Sequence, residues 1–266
     1  MKPISSIISA IALSLGISAS AATAPEVIKF DNGPEISIYK PSEPNGAAVL
    51  ICPGGGYQKK CIDKEGYLFA PYFNDQGITL AVLDYRLPAG DASLPVGDAY
   101  TALEYLHENA SRLNLNPDKI GIMGGSAGGH LAAQVAVTAP EKFAPKFQIL
   151  LYPVVSMVDM SLAHRGSRER LLGDKAGDRE TMLRHSPNLL VTPDTPEAFL
   201  VLTADDTIVD PENSMAYARA LGQNGVGCEL HMFAHGPHGF GANEVPFRQV
   251  WLDALTQWLN TTVLNK

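Results

Sequence analysis

Residues 119–137 read KIGIMGGSAGGHLAAQVAV, and the fold turns on how that run divides. Its first part, 120–123, is apolar and β-branched enough for a buried strand, while 127–137 is rich in helix formers. Gly124-Gly125-Ser126-Ala127-Gly128 lies between them, a G-x-S-x-G string in a strand-turn-helix context. A serine that stands clear of a sheet at so sharp a turn needs residues without side chains two positions before it and two after. Gly124 and Gly128 meet that need. The predicted helix begins at the serine, so the Ala127 N–H and the positive end of the helix dipole face any anion forming beside Ser126.

Outward from that turn the chain alternates strand and helix. Upstream, AAVLIC at 47–52 is a short continuous apolar run of the kind found in strands covered on both faces. It ends in Pro53-Gly54-Gly55-Gly56-Tyr57, where consecutive glycines leave backbone N–H groups unobstructed. Gly55 and Gly56 are the expected main-chain donors to an oxyanion, with Ala127 the third. A helix over 64–76 closed by Gly77, a strand over 78–83 and a helix over 96–109 with Ala99, Ala102, Leu103 and Leu106 on one face follow. The segments 27–30 and 35–39 flank Asp31-Asn32-Gly33-Pro34 and predict an antiparallel hairpin at a sheet edge. The pattern predicts an α/β fold: a mostly parallel central sheet, helices on both faces and right-handed crossovers.

Downstream, 147–152 reads as another strand, but no clean helix follows it. Residues 154–197 are polar and interrupted, carrying Arg165, Arg168, Arg170, Arg179 and Arg184 with His164 and His185. So long an insertion predicts a small helical cap over the site, with these cations read mainly as its solvated face. Strands are expected at 199–203 and 229–233. Asp210 and Pro211 suit the N-cap and first position of a helix running to about Leu221, and a closing helix over 245–259 turns Trp251, Leu255 and Trp258 inward.

Composition sets the outer bounds. A chain of 266 residues, 45% hydrophobic, can bury one full core, so 22–266 is read as a single domain. The formal net charge of -8 argues against nucleic acid or an anionic membrane as partner. Residues 1–21 carry one early lysine, an apolar stretch and Ala19-Ser20-Ala21, the pattern of a cleaved signal peptide. An exported protein, periplasmic or secreted, without stable membrane association after cleavage, is the expectation. Cys52, Cys61 and Cys228 form no metal-ligand or CxxC pattern. Under oxidation Cys52 and Cys61 are the nearer pair, and buried free thiols are the simpler reading. No metal and no organic cofactor is expected.

A serine hydroxyl is a poor nucleophile at neutral pH, so Ser126 needs a base, and the base needs a carboxylate to fix its tautomer. His238, flanked by glycine in the loop after the last strand, has the freedom to reach back to Ser126, with His235 as the fallback. His107, His130 and His231 fall within regular elements and read as surface or packed core. Asp205 and Asp206 are adjacent at the end of a strand, and pattern alone does not choose between them.

Several short blocks share an order along the chain: PGGGY at Pro53, EG at Glu65, DYRL at Asp84, GGSAGGHLA at Gly124, YPV at Tyr152, GSRERLLG at Gly166, SP at Ser186, TADD at Thr203 and HGFG at His238. Together they resemble the esterase/lipase branch of the α/β-hydrolases, specifically acetyl xylan and pectin acetyl esterases. The resemblance implies an α/β-hydrolase fold, Ser126 as nucleophile, His238 as base and Asp206 as the third member. It also implies Gly55 and Gly56 as oxyanion donors, and an acetyl or short-acyl ester of a plant cell-wall oligosaccharide or polysaccharide as substrate. A general short-chain carboxylesterase, a prolyl-oligopeptidase-like peptidase and a catalytically silent carbohydrate-binding relative are the alternatives. The chain departs from the family pattern at Pro53, where many lipases have His, at Gly125, where a bulkier residue is frequent, and at Val209-Asp210-Pro211 after the acid.

Overall fold

The computed structural model describes residues 24–31 and 33–265, so the expected leader at 1–21 lies outside the described residues. Strands β1 (Glu26–Lys29), β2 (Glu35–Tyr39), β3 (Ala48–Cys52), β4 (Thr79–Asp84), β5 (Ile120–Gly125), β6 (Gln148–Leu151), β7 (Ala198–Thr203) and β8 (Cys228–Phe233) form one sheet. Their order is β1-β2-β4-β3-β5-β6-β7-β8. The β1–β2 and β2–β4 pairs are antiparallel, which makes the N-terminal hairpin a sheet edge, and every later pair is parallel. The helices are α1 (Ala70–Asn74), α2 (Ser93–Glu108), α3 (Ala110–Leu113), α4 (Ser126–Thr138), α5 (Arg165–Leu172), α6 (Arg179–Arg184), α7 (Glu212–Gln223) and α8 (Arg248–Leu259).

Strand side chains alternate between two faces, and both faces are covered. Leu50, Ala81, Ile122, Leu150 and Leu200 point to one face, where Ala99, Leu103, Leu131 and Tyr217 of α2, α4 and α7 meet them. Their neighbours Val49, Leu80, Met123, Ile149 and Phe199 point to the other, against Phe73 of α1 and Trp251, Leu255 and Trp258 of α8. Each such fully buried aliphatic side chain contributes on the order of 2 kcal/mol from removal of apolar surface from water. Among the described residues no helix is long and apolar enough to cross a membrane.

The strand order reverses direction at β3: the chain leaves it for β4 on one side and returns to β5 on the other. In open α/β sheets the crevice at the carboxyl ends of the strands flanking such a point is where ligands bind. Here Cys52 at the end of β3 pairs with Gly124 near the end of β5, so the glycine loop and the serine turn emerge side by side.

The expected helix over 64–76 is not continuous. A single 3-10 turn, Tyr67–Phe69, precedes the short α1, and 62–66 is a chain of turns. Gly66 sits at φ -144 and ψ -108, which is not helical, and a Cβ built there would lie 2.2 Å from the Ile62 carbonyl oxygen. The helix α2 starts earlier than expected, at Ser93, because Pro95 is accommodated in the first turn, where its missing N–H has no partner to lose. The closing helix starts later, at Arg248, two residues past Pro246. The three cysteines are free thiols, and Cys52 is fully buried in β3.

Candidate active site

Ser126 occupies the first position of α4 at φ +55, in the left-handed region where a residue with a Cβ is strained by about 1–3 kcal/mol. The surrounding glycines make that position reachable. A Cβ built on Gly124 would lie 2.2 Å from the Gly128 carbonyl oxygen, and one on Gly128 would lie 2.0 Å from that of Cys52. The elbow therefore closes only with hydrogen at both places. The helix behind it lies close on the sheet for the same reason, with Ala127, Gly129, Ala132 and Ala133 all buried.

The structure brings Ser126, His238 and Asp206 together. His238 Nε2 lies 2.8 Å from Ser126 Oγ, and His238 Nδ1 lies 2.6 Å from Asp206 Oδ2. Asp206 Oδ1 accepts two backbone N–H groups, from Ile208 at 2.9 Å and Val209 at 3.1 Å. Burial alone pushes the Asp206 carboxyl upward, yet the His238 hydrogen bond, the Ile208 and Val209 amides and the neighbouring imidazole together hold it below the ordinary carboxylate value. Asp205 and His235 go elsewhere: Asp205 accepts from the Gly236 N–H at 2.9 Å and pairs with His235 Nδ1 at 3.0 Å, and the His235 side chain is 86% exposed. That pairing fastens the turn after β8.

The glycine loop stands against the elbow. A Cβ on Gly54 would lie 3.1 Å from the Ser126 Cβ and 2.4 Å from the Gly125 carbonyl oxygen. Gly55 has φ +130, a conformation that side chains rarely adopt. Among the described residues, no protein acceptor meets the Gly55 or Gly56 N–H, and the Ala127 N–H lies in the first turn of α4, where intrahelical partners are lacking. Three anchors hold the loop: the Tyr85 hydroxyl donates to the Pro53 carbonyl at 2.7 Å, the Cys61 N–H donates to the Gly54 carbonyl at 2.8 Å, and the Gly54 N–H donates to Glu65 Oε2 at 2.7 Å. An imidazole bonded to a hydroxyl on one side and a carboxylate on the other draws the hydroxyl proton when the oxygen attacks, and free N–H groups stabilise the charge that results.

Two side chains packed against this constellation were given no role in the reading of the sequence. Glu65 is 3% exposed beneath the elbow, and Tyr152, at φ +38 just after β6, packs its ring edge-on to the His238 ring at 4.8 Å between centroids. Both stood in blocks that carry the family resemblance, EG at Glu65 and YPV at Tyr152, but the blocks by themselves named no role for them. His130 is packed core, as expected, but in a defined role: its Nε2–H donates to the His185 carbonyl at 2.9 Å and its Nδ1 receives the Tyr57 hydroxyl at 2.8 Å. Burial lowers the His130 imidazole to about 4, so it is neutral at physiological pH.

The 154–197 excursion contains α5 and α6. Arg165 and Arg184 make exposed ion pairs with Glu169 and Glu180, each one helical turn away. Arg168 departs from the mainly solvated face expected, because α5 turns it inward to 7% exposure, and Arg170 reaches the Gly56 carbonyl at 3.3 Å. A cavity of about 340 Å³ lies beside Asp206, lined by Leu162, His164, Arg165, Ile208 and Asp210 among others.

Comparison with known proteins agrees with this architecture. Residues 49–242 match the model of a family described as having the alpha/beta hydrolase fold. The chain is 35% identical to an acetylxylan esterase of Xylanibacter ruminicola over 87% of its own length and 49% of the relative's. It is 31% identical to endo-1,4-beta-xylanase B of Butyrivibrio fibrisolvens over 76% of its own length and 34% of that protein. The chain thus spans about half or less of the length of these curated relatives. Among solved structures, an acetyl ester-xyloside bifunctional hydrolase from Caldicellulosiruptor lactoaceticus superposes with a TM-score of 0.81 at 30% identity, covering 91% of this chain and 98% of that one. The family model, the relatives and the sheet order agree: the chain belongs to the α/β-hydrolase fold family.

Proposed function

We propose that this protein is an exported serine esterase that removes acetyl or other short acyl groups from cell-wall oligosaccharides or polysaccharides. Ser126 is the nucleophile, His238 the base and Asp206 the carboxylate that fixes the imidazole. The Ser126 oxygen attacks the ester carbonyl while its proton passes to His238 Nε2, and the tetrahedral oxyanion is held by the N–H groups of Gly55, Gly56 and Ala127. Each such donor is worth about 3 kcal/mol in comparable sites. Collapse breaks the bond to the sugar oxygen, which takes the proton from His238, and leaves the acyl group on Ser126. Water then attacks the acyl-enzyme with the same imidazole as base, releasing the carboxylic acid and restoring the serine.

The observation that carries this reading is the unbroken relay from Asp206 through His238 to Ser126, beside two N–H groups without a protein acceptor among the described residues. The substrate class is supported by relatives whose names join esterase activity to xylan or xyloside. Export rests on the leader pattern at 1–21. Acetate release is the direct test, measured on acetylated xylan, pectin, mannan and a monosaccharide ester. The wild type is expected to release acetate from at least one of them, and Ser126→Ala to release none and to show no acyl adduct by mass spectrometry. Turnover retained in that variant, or none by the wild type on any acetyl ester, would overturn the proposal.

A further inference from the structure

Glu65 is a carboxylate buried to 3% exposure with no cationic side chain bonded to it among the described residues, an arrangement that costs stability unless each oxygen is well served. Each is. Oε2 accepts the Gly54 N–H at 2.7 Å, and Oε1 accepts the Tyr152 hydroxyl at 3.0 Å. The Tyr152 oxygen in turn accepts the Gly241 N–H at 2.8 Å, which leaves its proton for Glu65. One carboxylate thereby ties the loop carrying Gly55 and Gly56 to the loop carrying His238. It sits directly under the nucleophile, since a Cβ built on Gly125 would lie 3.0 Å from Oε2. Lys64, the preceding residue, fastens the same His238 loop twice more: its Nζ donates to the Gly239 carbonyl at 2.8 Å, and its carbonyl accepts the Ala242 N–H at 2.7 Å.

We propose that Glu65 is a positioning residue that sets the distance and angle between the oxyanion donors and the His238 imidazole. It acts through Gly54 on one side and through Tyr152 on the other, and the Tyr152 ring lies edge-on against His238. The choice of residue follows from acceptor count. Two donors arrive from separate loops, and a carboxylate accepts both, whereas glutamine offers one accepting oxygen and must turn an N–H₂ toward a group that is itself donating. An apolar residue would pack there but would leave the Gly54 N–H and the Tyr152 hydroxyl without partners. This inference rests on the esterase reading of the site.

The test is steady-state hydrolysis of p-nitrophenyl acetate by wild type, Glu65→Gln, Tyr152→Phe and the double variant, each normalised to active sites titrated to completion with a fluorophosphonate. A displacement of about 1 Å in a reacting group costs on the order of a hundredfold in rate, so Glu65→Gln is expected to lower kcat per titrated site by about 30- to 100-fold. KM is expected to change less than about threefold, because neither residue touches substrate. Tyr152→Phe removes the link to one loop only and is expected to lower kcat by about tenfold, and the double variant to be no worse than Glu65→Gln, since both cut the same connection. A merely structural role would shift Tm and the titrated fraction while leaving kcat per site unchanged, and that result overturns the proposal, as does full additivity. If Glu65→Gln yields no soluble protein, Tyr152→Phe decides alone: lowered kcat per site supports the proposal and unchanged kcat overturns it. A wild type that neither reacts with the probe nor cleaves ester refutes the esterase reading and this inference with it, whereas an active wild type with an equally active Glu65→Gln refutes only the inference.

Discussion

Asp206→Asn changes one oxygen to nitrogen, and the hydrogen bonds around the side chain dictate where that nitrogen goes. The Ile208 and Val209 N–H groups both point at Oδ1 from 2.9 and 3.1 Å, and they require an acceptor there. The asparagine carbonyl takes that place, and its amide is turned to the Oδ2 position, 2.6 Å from His238 Nδ1. An amide donates, so Nδ1 must present its lone pair and the ring proton moves to Nε2. Nε2 then donates to Ser126 Oγ instead of accepting from it, and the base is lost with the geometry intact. In a well-studied serine protease the same tautomer reversal lowers kcat by about 10⁴, on the order of 5 kcal/mol of barrier. We expect a loss of that order for Asp206→Asn against p-nitrophenyl acetate, with thermal stability nearly unchanged. Asp205→Asn, which touches only exposed His235 and a turn amide, is expected to stay within about threefold of wild type, as surface changes outside a site do. Asp206→Asn within tenfold of wild type would refute the reasoning, and so would equal losses in the two variants.

Three further outcomes follow from the same coordinates. Gly128→Ala puts a methyl 2.0 Å from the Cys52 carbonyl oxygen and 2.6 Å from the Pro53 carbonyl carbon, both backbone, so α4 must lift off β3; a loss of about 3 kcal/mol or more is expected in urea unfolding, and a loss below 1 kcal/mol would count against the tight-elbow account. Ser126→Gly relieves the positive φ and is expected to raise stability by about 1 kcal/mol while abolishing turnover, and a lowered Tm would contradict the assignment of strain. His130 is held near 4 by burial against 6.5 when unfolded, so between those values the unfolded chain binds the extra proton and stability falls as pH falls, by about 3 kcal/mol across the window. Urea midpoints measured from pH 7 to 4.5 should show that slope, and it should flatten in His130→Gln; an unchanged slope would place the titrating group elsewhere.

The alternation of apolar runs with helix-forming segments was enough to read the sheet, because strands covered on both faces are continuous blocks of Val, Ile and Leu, as in AVLIC and AFLVLT. The hairpin edge, the parallel order and the inward tryptophans of α8 are legible in the same way. The serine turn was legible because its glycines are dictated by contacts at about 2 Å, and nothing else fits. Asp205 and Asp206 were not separable by pattern, and only the family resemblance singled out Asp206: adjacent residues at a strand end point apart, and which one faces His238 depends on the twist of the turn between 204 and 209. Residues 64–69 were misread as continuous α-helix because tertiary contacts to Gly54, Tyr152 and the His238 loop override local propensity there. Glu65, spaced as a surface acid would be, carries no periodic mark of its burial. Arg168 was similarly opaque, since an arginine on a polar segment gives no sign of which side it turns to the core.

The relay joins groups 112 positions apart in the chain, and its imidazole rides on the loop after β8, a strand that touches the sheet along one side only. A nascent polypeptide thus displays its serine while the imidazole that would arm it is still unmade, and the hydroxyl stays as inert as any other until that outermost strand docks. Contacts of such long sequence separation form late, after local structure has consolidated. On the proposed mechanism the relay is complete only once that strand has docked, and a chain without it has no base beside its serine.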